Sequence, residues 1–155
     1  MTTSVDAVDT TPRIRPAGTS DLLDVYRIER QSFPQPWPFE AFQRHIEAPA
    51  FFVAEVDTEL VGYVVGDIAP GFPGRVGHIK DLAVHPAYRR RGVARKLLER
   101  ALTQLEDHGV VRTSLEVRES NDAAIALYRS LGFEPWRTRP RYYPDGEAAI
   151  IMVHR

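Results

Sequence analysis

The chain has no cysteine. Disulfides, thiolate metal sites and a cysteine nucleophile are therefore excluded. Lysine is almost missing as well: only Lys80 and Lys96 occur among the 20 basic residues, so arginine carries the positive charge. A formal net charge of −1 provides no global field to draw the protein to nucleic acid or to a membrane surface. No apolar run approaches the roughly 18 residues of a membrane span. The first residues, MTTSVDAVDTTP, have neither the basic nor the apolar region of a signal peptide, and a cytoplasmic location is expected. Walker and HExxH motifs are absent, and His45, His78, His85, His108 and His154 are scattered, so no metal is expected.

What remains is an ordinary globular composition, 43% hydrophobic and 26% charged over 155 residues, enough for one domain with a real core. Residues 1–11 are small and polar and read as a disordered tail, leaving 12–155 as the folded domain. Arg13 to Pro16 reads as a strand, and Thr19 or Ser20 as the cap of a helix reaching about Gln31, with Leu22, Val25, Tyr26 and Ile28 apolar. SFPQPWPFEAF has too many prolines for helix until Pro38, which suits the first position of a short helix to about Glu47. Phe51–Val56 and Leu60–Ile68 read as strands turning at Asp57 and Thr58, and Pro70–Arg75 as a loop.

The stretch HIKDLAVHPAYRRRGVARKLLERALTQL, from His78 to Leu105, organises the rest. Ile79, Leu82 and Val84 belong to a strand that Pro86 stops. From Gly92 onward Val93, Leu97, Leu98, Ala101, Leu102 and Leu105 mark one buried face of a helix that ends near Gly109. Between strand and helix, Arg89, Arg90 and Arg91 run into Gly92. Unpaired first-turn amides, a bare glycine and three guanidinium groups make an anion site, most naturally for phosphate; the alternative is a solvated basic turn.

Val111 to Arg118 alternates, with Val111, Thr113, Leu115 and Val117 on one side and Arg112, Ser114, Glu116 and Arg118 on the other. Glu116 lies either on a solvated face or in a cleft, where partial burial would raise its pKa toward a useful base. Ser120 or Asn121 caps a short helix with Ala124, Leu127, Tyr128 and Leu131 along one stripe, ended by Gly132. Tyr128 is a core residue or a proton donor, and Asn121 a cap or a ligand contact. Glu134–Tyr143 and Ala148–Val153 read as a hairpin across PDG. Strand–helix–strand over residues 76–118 calls for a parallel pair inside an otherwise antiparallel sheet.

LAVHPAYRRRGVARKLL resembles the acetyl-coenzyme A motif of the GNAT acetyltransferases, [QR]-x-x-G-x-[GA], with Arg89, Gly92 and Ala94 at its marked positions. LEVRESNDAAIALYRSLGF, RYYPDGEAAIIM and the upstream QSFPQPWPF resemble the RimI-type branch and its archaeal Ard-like relatives, the N-terminal protein acetyltransferases. The resemblance covers Arg13 to Met152. It implies a single-domain α/β GNAT fold: a mixed, mostly antiparallel sheet with a central splayed parallel strand pair and about four helices.

The same resemblance implies roles. Glu116 falls at the general base and Tyr128 at the general acid, with His78 a further candidate that can help hold a water. Backbone groups of Leu82, Ala83 and Val84 fall beside the pantetheine arm and the oxyanion. Arg89, Arg90, Arg91, Gly92, Val93 and Ala94 fall on the pyrophosphate loop, with Asn121 and Tyr128 also facing the cofactor. Phe33, Pro34 and Trp37, with Tyr142 and Tyr143, flank the peptide opening. The implied reaction moves an acetyl group from acetyl-coenzyme A to the α-amino group of protein N-termini, ribosomal proteins among them, without a metal or covalent enzyme intermediate. The alternatives are a GNAT enzyme acting on a small amine or a lysine side chain, and a non-catalytic acyl-coenzyme A binding module. A monomer or weak dimer is expected.

Overall fold

The computed structural model describes residues 11–155, so the expected tail lies outside the described residues except for Thr11. Seven strands form one sheet: β1 (Arg13–Pro16), β2 (Ala50–Val56), β3 (Glu59–Ala69), β4 (Val76–Val84), β5 (Arg112–Arg118), β6 (Glu134–Arg139) and β7 (Ala149–His154). Their spatial order is β1-β2-β3-β4-β5-β7-β6, and among the described residues only β4 and β5 run parallel. Four helices join them: α1 (Leu22–Ser32), α2 (Phe39–Arg44), α3 (Val93–Asp107) and α4 (Asp122–Ser130). No helix among the described residues is long and apolar enough to cross a membrane.

Helices cover both sheet faces because the apolar residues supply two cores. On one face, Leu97, Leu98, Ala101 and Leu105 of α3 pack against Phe52, Val64, Ile79, Leu115 and Val117. The four α3 residues are fully buried, so truncating Leu97 or Leu98 to alanine should cost roughly 2–5 kcal/mol. On the other face, Leu22, Val25 and Ile28 of α1 meet Phe42, Phe51, Val53 and Tyr63. Phe42 stands edge-on to Tyr63 with ring centroids 5.6 Å apart. Asp57 and Thr58 both have positive φ, as the tight two-residue turn between β2 and β3 requires.

Four local expectations change. Neither Thr19 nor Ser20 caps α1. A 3₁₀ turn at Thr19–Asp21 precedes the helix, and Asp21 accepts the Gly18 amide at 2.7 Å while Arg15 binds both its oxygens at 2.7 and 2.8 Å. Pro38 is the N-cap of α2 rather than its first residue, and α2 gives way at His45 to a turn. In α4, Ile125 joins Ala124, Tyr128 and Leu131 against the core, while Leu127 turns toward a surface cleft. Finally, β6 stops at Arg139 instead of running to Tyr143. Pro140 has no amide for the ladder, and Arg141 turns the chain away at φ 51°. Tyr142 and Tyr143 therefore sit on a loop.

Candidate active site

The site begins where β4 and β5 part. They are paired only at Val76–Arg112, Gly77–Thr113 and His78–Ser114. Gly77 permits that contact, since a Cβ there would lie 2.6 Å from Thr113 Oγ1. On the far side of β4, Val65 pairs with Asp81 and Gly66 with Ile79, leaving Lys80 as the extra residue of a bulge. The bulge resets the alternation. Ile79 faces the α3 core, whereas Asp81 meets Tyr63, on the face that carries α1.

Glu116 and His78 meet on this α1-side face. His78 Nε2 lies 3.0 Å from both carboxylate oxygens of Glu116. The Tyr142 hydroxyl donates to Glu116 Oε1 at 3.2 Å. Leu115 and Val117 point the other way into the core, so the alternation expected for β5 holds, except that Val111 lies outside the strand and is exposed. Burial pushes the Glu116 carboxyl up, but the His78 hydrogen bond and charge, the Tyr142 hydroxyl and Arg139 together outweigh it. The net direction is down, opposite to the expected rise. Glu116 is thus a carboxylate already paired with an imidazole, and the two groups together form the proton acceptor that the geometry offers.

Arg118, two residues along the same face, holds the tyrosine loop in place. Its guanidinium contacts Asp145 at 2.8 Å and Glu147 at 2.9 Å and lies 4.1 Å from the Tyr143 ring centroid. Glu147 also accepts the Ser120 amide at 2.8 Å. Tyr142 and Tyr143 stand edge-on with centroids 5.0 Å apart, and both backbone amides donate to the Glu147 carbonyl. Sequence reasoning placed Arg118 beside Glu116 but gave it no role; the acids of PDGE were the signal that could have found its partners.

Across the gap, Tyr128 of α4 is half-buried and edge-on to Phe133, and among the described residues its hydroxyl makes no hydrogen bond. Burial, then Tyr143 and Asp81, push that hydroxyl up to about 12. It therefore stays protonated at neutral pH and can give its proton away. His85 donates its amide to Val61 of β3 at 2.7 Å, so by alternation the Leu82 and Val84 amides point to the gap and the Ala83 amide points to β3. Ala83 itself is buried in the α1-side core. The Leu82 amide donates to its neighbour Asp81 at 2.9 Å.

The arginine turn has the form expected of an anion cradle. Gly92 is the N-cap of α3 at φ 78°, no side chain caps the helix, and a Cβ at Gly92 would meet nothing within 4 Å. The turn borders a cleft of about 270 Å³ whose lining includes Val84, Arg89, Arg90, Val93, Ala94 and Leu127. Arg89 Nε is spent on the Val84 carbonyl at 3.2 Å, and Arg91 lies over the Tyr88 ring. Open first-turn amides beside cationic side chains fit a pyrophosphate, and the cleft leads from them toward β4. Asn121 acts as a cap, accepting the Ala124 amide at 3.2 Å.

On the opposite side, Phe33 and Pro34 are exposed and Trp37 is half-buried, stacked on His45 at 5.2 Å. Glu29, which binds the Trp37 amide at 2.8 Å, was missed in the sequence. It lies four residues after Val25 and seven after Leu22, a charged group on the core stripe, and that spacing was the available signal.

The sequence from 22 to 133 matches the acetyltransferase (GNAT) family. The chain belongs to the GNAT acetyltransferase family. Among its GNAT relatives, an N-alpha-acetyltransferase of Sulfurisphaera tokodaii is 37% identical over 152 residues, covering 91% of each chain. An Escherichia coli enzyme named for acetylating an alanine of ribosomal protein bS18 is 39% identical, covering 87% of this chain and 91% of its own. The crystal structure of the ribosomal-protein-S18-alanine N-acetyltransferase from Escherichia coli superposes with a TM-score of 0.81 at 35% identity, over 93% of both chains.

Proposed function

We propose that this GNAT enzyme acetylates the α-amino group of protein N-termini, with ribosomal proteins as candidate targets. The observation that carries the reading is the Glu116–His78 pair. It stands where β4 and β5 separate, beneath Tyr142 and on the face that carries the aromatic opening of Phe33 and Trp37. The names of the Sulfurisphaera and Escherichia relatives support the choice of substrate.

The residues divide the work. Glu116 and His78 take the proton of the incoming ammonium. An α-amino group has an ordinary pKa near 7.7–8.0, about 2.5 units below that of lysine, so this pair needs to shift it little. Acetyl-coenzyme A, held at its pyrophosphate by the Gly92 turn and the arginines, would supply the acetyl thioester. The gap-facing Val84 amide, unlike that of Leu82, which already donates to Asp81, offers a hydrogen bond to negative charge developing at the thioester carbonyl. Tyr128, protonated and without a competing partner, stands ready to donate a proton to the departing sulfur. Phe33, Pro34, Trp37, Tyr142 and Tyr143 frame the path of the peptide.

Replacing Glu116 by Gln tests the assignment. Turnover on a peptide with a free N-terminal residue should fall on the order of 100-fold or more, with acetyl-coenzyme A affinity by calorimetry unchanged. Undiminished turnover would remove Glu116 from the reaction.

A further inference from the structure

The catalytic assignment leaves a second acid pair unused. Glu29 of α1 is 2% exposed, and its carboxylate faces two donors from two other parts of the chain. Oε2 accepts the Trp37 amide at 2.8 Å, and Oε1 accepts the Tyr63 hydroxyl in a short hydrogen bond. Asp81 of β4 shares that hydroxyl. Asp81 Oδ1 in turn accepts the Leu82 amide at 2.9 Å, and Tyr63 reaches Oδ2 at 3.4 Å. A chain of polar contacts thus runs from the loop that carries Phe33 and Trp37, through α1 and β3, to the strand whose amides line the gap.

We infer that Glu29 and Asp81, bridged by the Tyr63 hydroxyl, act as a positioning latch that fixes the peptide-side loop against the gap-lining strand. Two carboxyls at one hydroxyl, Glu29 buried and Asp81 half-buried, cannot both carry charge at low cost. Burial first, then the hydrogen bond to Glu29 and the charge of Glu29, hold Asp81 protonated well above the ordinary carboxylate range. While the proton is present, Glu29 keeps the Trp37 amide. Once Asp81 ionises, the two carboxylates repel and the latch opens, so grip on the peptide weakens as pH rises.

The groups around the pair are few. Tyr63 faces it from β3, and Tyr128 of α4 senses the Asp81 charge. His78 on β4 is turned to Glu116 of β5, the exposed Lys80 is the bulged residue, and Arg30 of α1 lies over the Tyr26 ring. His45, just beyond α2, meets the latch only through its stacking on Trp37.

Two readouts test the latch. The first, which rests on the proposed N-terminal acetyl transfer, is kinetic. Glu29→Gln should raise the peptide KM by about tenfold with kcat and acetyl-coenzyme A affinity little changed. Asp81→Asn, which keeps a neutral donor beside Glu29, should retain the wild-type KM at neutral pH and abolish its alkaline rise. The second is independent of activity. In a Trp136→Phe background Trp37 is the sole tryptophan, because the sequence holds two. Its emission should shift to the red in Glu29→Gln, and at alkaline pH in the otherwise unchanged protein but not in Asp81→Asn.

An unshifted emission in a folded Glu29→Gln protein overturns the inference. So does an alkaline shift that persists in Asp81→Asn, or one absent from both. Should Glu29→Gln not fold, the Asp81→Asn comparison decides alone. A wild-type enzyme that acetylates no free N-terminus would instead overturn the proposed function, while the fluorescence arm still judges the latch.

Discussion

At the scale of single residues, Glu116 shows how contacts reverse an expectation based on burial. A half-buried carboxylate alone should titrate high, and that direction was readable from its place on a central strand. His78 lies 38 residues away and Tyr142 26 residues away, and their contacts depend on strand register and on where β6 ends. No local pattern encodes those facts, so the downward net shift was not legible. The sign gives a test. A lowered Glu116 stays ionised until pH falls through its depressed value, and removing His78 removes the leading cause of that depression. In His78→Leu the acid limb of the kcat/KM profile should therefore move to higher pH; an unmoved limb would mean that Glu116 does not set it. Tyr128→Phe should lower kcat roughly 10- to 100-fold while circular dichroism and melting remain near wild type, because only the hydroxyl is lost. An unfolded Tyr128→Phe protein would instead assign that hydroxyl to the core.

At the scale of elements, two turns frame the gap from opposite sides. The arginine turn was legible because its parts are local: a strand stopped by Pro86, a glycine at positive φ and a helix start without a side-chain cap. Gly92→Trp should abolish acetyl-coenzyme A binding by calorimetry, since it fills the open cradle and strains the backbone; retained affinity would refute the pyrophosphate site. The tyrosine loop was only half legible. PDG announced a turn, but the strand was drawn through Pro140, and the clamp of Arg118 on Asp145 and Glu147 forms only after folding. Asp145 is exposed and Glu147 half-buried at the surface, so Arg118→Met should change the melting temperature little. The same change should raise the peptide KM several-fold, because Tyr142 and Tyr143 lose their anchor. An equal rise in acetyl-coenzyme A Kd would argue for a general defect instead.

At the scale of the whole molecule, the mixed sheet, its parallel pair and its four helices followed from hydrophobic periodicity and from the crossover that a parallel pair demands. The Glu29–Asp81 pair did not, because both are polar residues that only tertiary packing brings together. That pair also sets a pH dependence of stability. The folded protein keeps the Asp81 proton above the ordinary carboxylate value, where the unfolded chain releases it. Its contribution to stability is therefore complete at acid pH and is lost as pH rises from the ordinary value through the raised one. Asp81→Asn should stabilise the protein at neutral pH and not at acid pH, read from urea unfolding at both. A destabilised Asp81→Asn protein at neutral pH would mean that the acid pair is no burden to the fold.

The central claim is that the Glu116–His78 pair serves an α-amine presented between the two aromatic loops. The direct measurement is mass spectrometry of a mixed peptide library incubated with the wild-type enzyme and acetyl-coenzyme A. Half of its members carry free N-termini and blocked lysines, the other half the reverse. Transfer confined to free N-termini is the predicted result. Transfer to lysine side chains alone, or to neither class while acetyl-coenzyme A still binds, would contradict it.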